Sequence, residues 1–557
     1  VNSFGDRATR AVSSMQWAAW ADALGWISEL TSPENLRRRT KGRPLLEPFA
    51  WQRQIGGRSG VRVDLPAGCY SDDTQLRLAT ARAITSHGFD VEAFSRIELP
   101  VWQSYALGGG RATKAAAAAM SKHNANWAAN FYKNWEHAGG NGVAMRIQPH
   151  VYAATDPISL DHLDDVIKNG VVTHGHPNAL VGAVLHAVAL TFSLAEGIPP
   201  QPEYWSVILD STRHAFIAFE RCPELAGYWR PRWEATVGEK LGRAWNNTID
   251  SAEHLFQTAL PAYDAMRRAR DREEAADGYE KLVSALELDN AAIRGSGLST
   301  SVAAIVLSSA FPDNPAQAAL LAAARLDTDT DTIATMAAAI VAAANPRDLV
   351  SPVLDADYIA DEARRLTRIA TRQASVDFAY PDLLYWVPPK SGLDSVGTID
   401  EELVLAGLGW LSPRGETYDA RSARWRWMKT SFGATMLVKY RANLPALPQN
   451  NHPAGARTTA TAETEMLAGH LLPDGATTND EGALFPRPTR NSREPRANDT
   501  VDSRRILDWL AVQGYDDTSV GYALRRVIES GTPTQLSELL NGLRHALRSR
   551  PTDRELQ

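Results

Sequence analysis

The stretch Leu326-Asp327-Thr328-Asp329-Thr330-Asp331-Thr332-Ile333 alternates three carboxylates with three hydroxyls, and an Ala-rich apolar run, Ala334 to Ala344, follows it. In extended backbone, residues two apart point to the same side, so Asp329 and Asp331 can aim both carboxylates at one point while Thr332 opens the helix behind them. Like charges this close repel, and their proton affinities rise unless something positive sits between them. A hard divalent cation with oxygen ligands is the natural occupant. Acidic and hydroxyl side chains also cap helix N-termini and complement the helix dipole. Alone, the stretch reads equally as a metal site and as a cap.

A second stretch breaks the tie. Ser71-Asp72-Asp73-Thr74 again sets a hydroxyl and paired carboxylates at the mouth of a helix, expected over Gln75 to His87 with Ser71 as N-cap and Gly88 as stop. Two such starts are harder to explain by capping than one. Together they supply six oxygen-bearing side chains, enough for one or two Mg2+-like ions that keep several waters. Two ions about 4 Å apart clamp vicinal hydroxyls or activate a water.

Outward from these starts, helix-period apolar patterns dominate and alternating runs are few, which predicts an all-α, orthogonally packed multi-helix domain. The first helix, Trp17 to Leu24, is expected to end or bend at Gly25. A loop rich in Arg, Pro and Gly covers roughly residues 32–68. Two glycine-rich loops follow, Gly108 to Arg111 and Gly139 to Arg146. His174-Gly175-His176-Pro177 then opens a helix with Pro177 in its first turn. Residues 199–289 read as helical without a chemical motif, and Arg294 to Leu298 precede a further helix. Neither His174 nor His176 has Cys or His partners at zinc spacing, so a capping or buried polar role is expected of both.

Length and composition set the bounds. The 557 residues leave room for more than one domain, and 44% hydrophobic with 22% charged residues is ordinary for a soluble globular protein. The net charge of −7 gives no global basic footprint for nucleic acid. Two cysteines, Cys69 and Cys222, are too few for a disulfide framework or a Cys-based zinc site. With no signal-peptide pattern and no apolar run expected to span a bilayer, the expectation is a cytoplasmic protein that does not engage membranes.

The organisation expected is a principal domain over 1–395, a helical extension over 396–444, a flexible linker over 445–500 and a small helical module over 501–557. In the extension, Trp410, Trp425 and Trp427 lie among Arg421, Arg424, Arg426 and Lys429, a pattern that predicts tryptophan packing under arginine stems ahead of a nucleic-acid surface. The terminal module is locally basic, with Arg504, Arg505, Arg525, Arg526, Arg544, Arg548 and Arg550. That is a solvated helical face or a contact for an acidic or nucleic-acid partner.

Taken in order, the motifs resemble the ADP-ribosylglycohydrolase superfamily, the group of the dinitrogenase reductase-activating glycohydrolases. Ala21-Asp22-Ala23-Leu24-Gly25 with Glu29 resembles the family's Gly-Asp-Ala-Leu-Gly opening with its downstream Glu. Ser71-Asp72-Asp73-Thr74 resembles its first metal motif, and Asp329-Thr330-Asp331-Thr332-Ile333-Ala334 its second. Gly108 to Arg111 and Gly140 to Arg146 resemble its glycine-rich ligand loops, and Thr173 to Pro177 its Thr-His-x-His-Pro helix start. The likeness spans about Trp17 to Asn345. Four departures stand out: Ala21 for the usual Gly, Asp327-Thr328 for Gly-Gly, Leu298 where many members carry an aromatic residue, and a region over 199–289 longer than in compact members.

The resemblance implies that Ser71, Asp72, Asp73, Asp329, Asp331 and Thr332 bind two divalent ions, Mg2+ or Mn2+. It implies ligand contacts from Gly140, Asn141, Gly142, Met145, Arg146 and His176. The implied reaction cleaves the C1 glycosidic bond of an ADP-ribosyl group on a protein, nucleic acid or small molecule. Such cleavage develops oxocarbenium character and needs leaving-group protonation or an activated water. Glu29 is the leading catalytic carboxylate, with Asp72 or Asp73 acting through water at the metals as alternatives. Two readings compete: a catalytically silent member that binds ADP-ribose or serves as a scaffold, and a metal-dependent phosphohydrolase.

Overall fold

The computed structural model describes residues 4–122, 125–421, 423–454, 503–512, 515, 517–530 and 532–548. Residues 1–457 form one compact unit and 458–557 a second.

The first unit is built around a helix with no exposed face. In chain order its main elements are α1 (Phe4–Ser28), α2 (Pro33–Thr40), β1 (Trp51–Ile55), β2 (Val61–Leu65), α3 (Asp72–Arg82) and α4 (Pro177–Glu196). Then come α5 (Leu241–Arg268), α6 (Gly297–Ala310), α7 (Pro315–Ala324), α8 (Thr330–Ala344) and α9 (Ala356–Ala370). Every residue of α8 is buried. Its alanines keep its girth small, so α1, α4, α6 and α7 all pack directly against it.

α1 does not stop at Gly25; it runs on to Ser28. The glycine serves a close approach instead. A Cβ there would stand 2.4 Å from the Thr330 carbonyl oxygen and 2.5 Å from Asp331 Cα. Gly25 therefore lets the end of α1 lie against the start of α8, a contact the Thr330 hydroxyl seals by donating to the Gly25 carbonyl at 2.9 Å.

α3 begins at Asp72 under the predicted Ser71 cap, whose Oγ accepts from the Asp73 N–H at 3.2 Å. It ends earlier than expected, at Arg82, because Ile84-Thr85 and Gly88-Phe89 fold back as a small hairpin. Arg82 ties this end down through a fully buried pair with Glu98 at 2.7 and 2.8 Å. α4 is long and apolar enough to cross a membrane by length and composition, contrary to the expectation that no such run exists, yet it lies in the core of the helical unit.

The extension over 396–444 is not helical. It is a five-stranded antiparallel meander, β3 (Val396–Ile399), β4 (Glu402–Leu405), β5 (Gly409–Asp419), β6 (Arg424–Thr430) and β7 (Thr435–Tyr440), so the unit is mostly helical rather than all-α. The register pairs Trp427 with Arg414 and with Leu437, and slips once between Arg414 and Thr417. The signal was local. Arg424-Trp425-Arg426-Trp427 alternates with period two, which buries both tryptophans on one face of the sheet. Trp425, Trp427 and Leu437 share a second small core with Trp26, Trp51, Val63 and Leu65, joining the sheet to the β1–β2 hairpin. The Trp427 indole donates to the Asp64 carbonyl at 3.1 Å.

The linker's expected start is tied to this sheet. Thr398 donates to the Pro445 carbonyl at 2.9 Å and accepts from the Leu447 N–H at 3.0 Å. Beyond residue 454 the expected linker lies outside the described residues. The second unit contains three helices, Ser503–Val512, Asp517–Ser530 and Pro533–Arg548, which bury Ile506, Leu510, Val527, Leu539 and Leu543. Arg550 of the basic set lies outside the described residues.

Candidate active site

Three chain segments bring carboxylates together: the end of α1, the start of α3 and the start of α8. α1 supplies Asp22, wholly buried, and Glu29 just past its last turn. The two Asp22 oxygens accept the Ser71 and Thr74 N–H groups at 3.0 Å each and the Thr74 hydroxyl at 2.6 Å. This fixes the Ser71-Asp72-Asp73 start to α1. Gly25 does the same for the Asp329-Thr330-Asp331 start from the next turn.

The environment raises the proton affinity of several of these groups. Burial pushes the Asp73 carboxyl well up, and Asp22, Asp72 and Asp329 add repulsion. Burial and then Glu29, Asp73 and Asp329 do the same to Asp331. Asp72 is pushed up to about 7 by burial and by Glu29 and Asp22, with Lys114 pulling the other way. Burial raises Glu29, opposed chiefly by the Arg53 guanidinium, which pairs with its carboxylate at 3.2 Å. Asp22 is raised by burial against its own hydrogen bonds. These six carboxylates repel one another across one site.

The glycine-rich loop joins the site from the other side. Gly140 bridges Ser296, the Asn141 N–H donates to the Gly295 carbonyl at 2.9 Å, and Asn141 Nδ2 donates to Asp329 Oδ2 at 2.9 Å. Gly108, at φ +124°, leaves room on a third side, since a Cβ there would fall 2.2 Å from Asp72 Oδ1.

Two of the residues expected to touch ligand lie behind the loop. Arg146 is fully buried and donates to Asn169 Oδ1, the Gly142 and Asn169 carbonyls and the Thr173 hydroxyl at 2.8–2.9 Å. Its guanidinium clamps the loop to the Thr173 segment and is spent on it, and burial lowers its pKa to about 9. Met145 is buried beside it, its carbonyl accepting from Arg77 at 3.1 Å. His176 caps α4, with Nδ1 accepting the Asn178 N–H at 3.1 Å, and stays half-buried. His174 is buried against the Thr173 hydroxyl at 2.7 Å, and burial lowers its pKa to about 3. Both histidines make structural hydrogen bonds, and His176, which the resemblance also gives a ligand contact, keeps part of its ring exposed.

Ser71, Asp72, Asp73, Asp331 and Thr332 are buried and Asp329 half-buried, all at the two helix starts. Among the described residues, no three His, Cys, Asp or Glu side chains already stand in the arrangement of a metal-binding cluster. Asp73 Oδ2 is nonetheless buried with no hydrogen-bond partner. An orphaned carboxylate oxygen among like charges is what a hard cation would satisfy, so the donor set fits a divalent ion.

Sequence reasoning singled out neither Asp22, Arg53 nor Arg77 as site residues. Asp22 was marked in the sequence as an acid inside an otherwise apolar helix. Arg77, fully buried, donates to the Thr74 and Thr335 hydroxyls at 3.2 and 2.7 Å behind the cluster. Arg53 reaches Glu29 only because the β1–β2 hairpin folds over the end of α1, which nothing local announces.

A mostly helical domain with buried carboxylates gathered at helix starts, opposite a glycine-rich loop, is the class that fold and site define. The family model described as ADP-ribosylglycohydrolase matches residues 5–375. The chain belongs to the ADP-ribosylglycohydrolase family. A solved structure titled "ADP-ribosylglycohydrolase-related protein complex" is similar at 18% identity and a TM-score of 0.38, over 66% of this chain and 99% of that one.

Proposed function

We propose that this protein hydrolyses the C1 glycosidic bond of an ADP-ribosyl group and releases ADP-ribose, with Mg2+ held by Ser71, Asp72, Asp73, Asp329, Asp331 and Thr332. The observation that carries the reading is the convergence of the α1, α3 and α8 carboxylates beside a glycine-rich loop hydrogen-bonded to Asp329. A bound divalent ion would supply positive charge among these carboxylates and a fixed hold on ribose hydroxyls. Glu29 takes a proton from the attacking water, whose oxygen bonds to C1 as the glycosidic bond breaks and the leaving group departs with the bond pair. Arg53 keeps the Glu29 carboxylate oriented and favours its ionised form. Asn141 holds the loop against Asp329, and the loop's backbone N–H groups would take the diphosphate.

The Asp327-Thr328 departure just before α8 favours one other reading, a member that binds ADP-ribose without cleaving it. A panel of Arg-linked, Ser-linked and nucleic-acid-linked substrates, with products identified by mass, separates the two. Release of ADP-ribose that is lost on chelation and in Asp329→Ala supports the hydrolase. Calorimetric ADP-ribose binding with no release from any substrate supports the silent binder.

A further inference from the structure

Residues 37–62 carry seven arginines and one lysine against a single glutamate, in a chain whose net charge is −7. The segment folds as α2 and the β1–β2 hairpin, and both are moored at Glu29. From α2, Arg39 donates to the Ile27 and Glu29 carbonyls at 2.7 and 3.2 Å and lies 5.1 Å over the Trp51 ring. From β1, Arg53 pairs with the Glu29 carboxylate and stacks 4.9 Å over Trp26.

The same two elements turn further cations outward. Arg37, Lys41, Arg43 and Arg62 are exposed and enter no ion pair among the described residues. Arg62 stands opposite Gln54 in the hairpin register and shares its outward face, whereas Arg53, opposite Val63, faces Glu29 from the other side of the hairpin. Acids stand among them: Glu34 pairs with Arg38, Asp64 accepts from the Gln52 amide at 2.6 Å, and Glu47 is exposed. The cations outnumber these acids, and a net positive field concentrates a partner of opposite charge.

The diphosphate of the substrate belongs with the glycine-rich loop on the Asp329 side. The elements that carry the cations are the ones tied to Glu29, the proposed catalytic carboxylate. We infer that the acceptor is a polynucleotide, whose phosphates dock on α2 and the β1–β2 hairpin so that an ADP-ribosylated nucleotide enters beside Glu29. This rests on the proposed hydrolase reading. Arginine outnumbers lysine here, and its planar fork matches phosphate oxygens. Leu46 is the one large apolar side chain exposed in the segment among the described residues, so the apolar centre of a protein interface is lacking. Phosphate contact needs none.

The test uses the full chain and a labelled single-stranded or duplex oligonucleotide, with binding read by anisotropy from 50 to 200 mM salt. The expected result is binding that weakens steeply with salt. In Arg37→Ala/Lys41→Ala/Arg43→Ala/Arg62→Ala combined, affinity should fall about tenfold or more and the log–log salt slope by about three to four. The same variant should lose kcat/KM for an ADP-ribosylated oligonucleotide while keeping wild-type turnover of ADP-ribosyl-arginine, which also reports that it folds. Absence of salt-dependent oligonucleotide binding, equal binding by variant and wild type, or cleavage of ADP-ribosylated protein but not of oligonucleotide would each overturn the inference. If no substrate is turned over at all, the hydrolase reading fails by itself, and the binding measurement still decides for or against the polynucleotide surface.

Discussion

Asp22, near the end of α1, accepts the Thr74 hydroxyl at 2.6 Å and the Ser71 and Thr74 N–H groups at 3.0 Å, so one buried carboxylate holds the whole Ser71-Asp72-Asp73 turn. Truncation would strand three buried donors, each costing about 1–3 kcal/mol. Asp22→Ala should therefore lose at least about 3 kcal/mol in urea unfolding. Whatever fraction folds should show weakened Mg2+ binding by calorimetry, because the α3 carboxylates lose their anchor.

Arg53 touches Glu29 at 3.2 Å and is held between the Trp26 and Trp51 rings at 4.9 and 5.7 Å. Arg53→Gln removes the charge and leaves Glu29 free to reorient. Partners that orient a reacting group typically matter by 10–100-fold. A fall of about that size in kcat, with KM for the ADP-ribosyl substrate held, is expected, and Arg53→Lys should recover part of it. A change in thermal stability with no change in kcat would show that Arg53 is purely structural.

Asp327, one of the departures from the resemblance, has a left-handed φ of +69°. Its side chain is exposed, and its carbonyl accepts from Arg294 at 3.2 Å. Aspartate tolerates this backbone better than most residues. The departure therefore preserves the loop. Asp327→Gly should be neutral or stabilising by up to about 1 kcal/mol with activity unchanged, whereas Asp327→Val should cost about 1–3 kcal/mol. Melting temperatures of the two variants check the order.

The pH dependence follows from Asp72, raised to about 7 from an ordinary 3.8. Between those values the folded protein binds a proton that the unfolded chain does not. Stability contributed by this group therefore falls as pH rises from about 4 to about 7, and the penalty is complete above 7. In the chelated protein, Asp72→Asn should gain stability over wild type as pH rises through that window, with the curves meeting near pH 4. Added Mg2+ should stabilise wild type most above pH 7, where the carboxylate is ionised, and Asp72→Asn less. Melting curves from pH 4 to 8, with and without Mg2+, test both signs.

Much of the site was written locally. Hydroxyl–carboxylate pairs at two helix mouths, a glycine-rich loop and a Pro-started helix are short-range patterns, because caps and turns are settled by neighbouring residues. Ser71 caps α3 and His176 caps α4 as those patterns require. Arg424-Trp425-Arg426-Trp427 was equally legible as a strand, and reading 396–444 as helix overlooked a period of two. Gly25 shows the opposite case. A glycine near a helix end signals a stop, but here it clears a path for the α8 backbone, a demand set by a residue some 300 positions away.

The sequence by itself determined the family, the helical core and which carboxylates stand at helix starts, since these depend on periodicity and local chemistry. Only the tertiary structure decided that Arg146 is buried in holding the loop and that Asp22 anchors the α3 turn. It also decided that a hairpin backed by the C-terminal sheet lays Arg53 on Glu29. Those contacts join segments far apart in the chain, and which of many possible partners a buried charge takes is settled by packing, not by its neighbours in sequence.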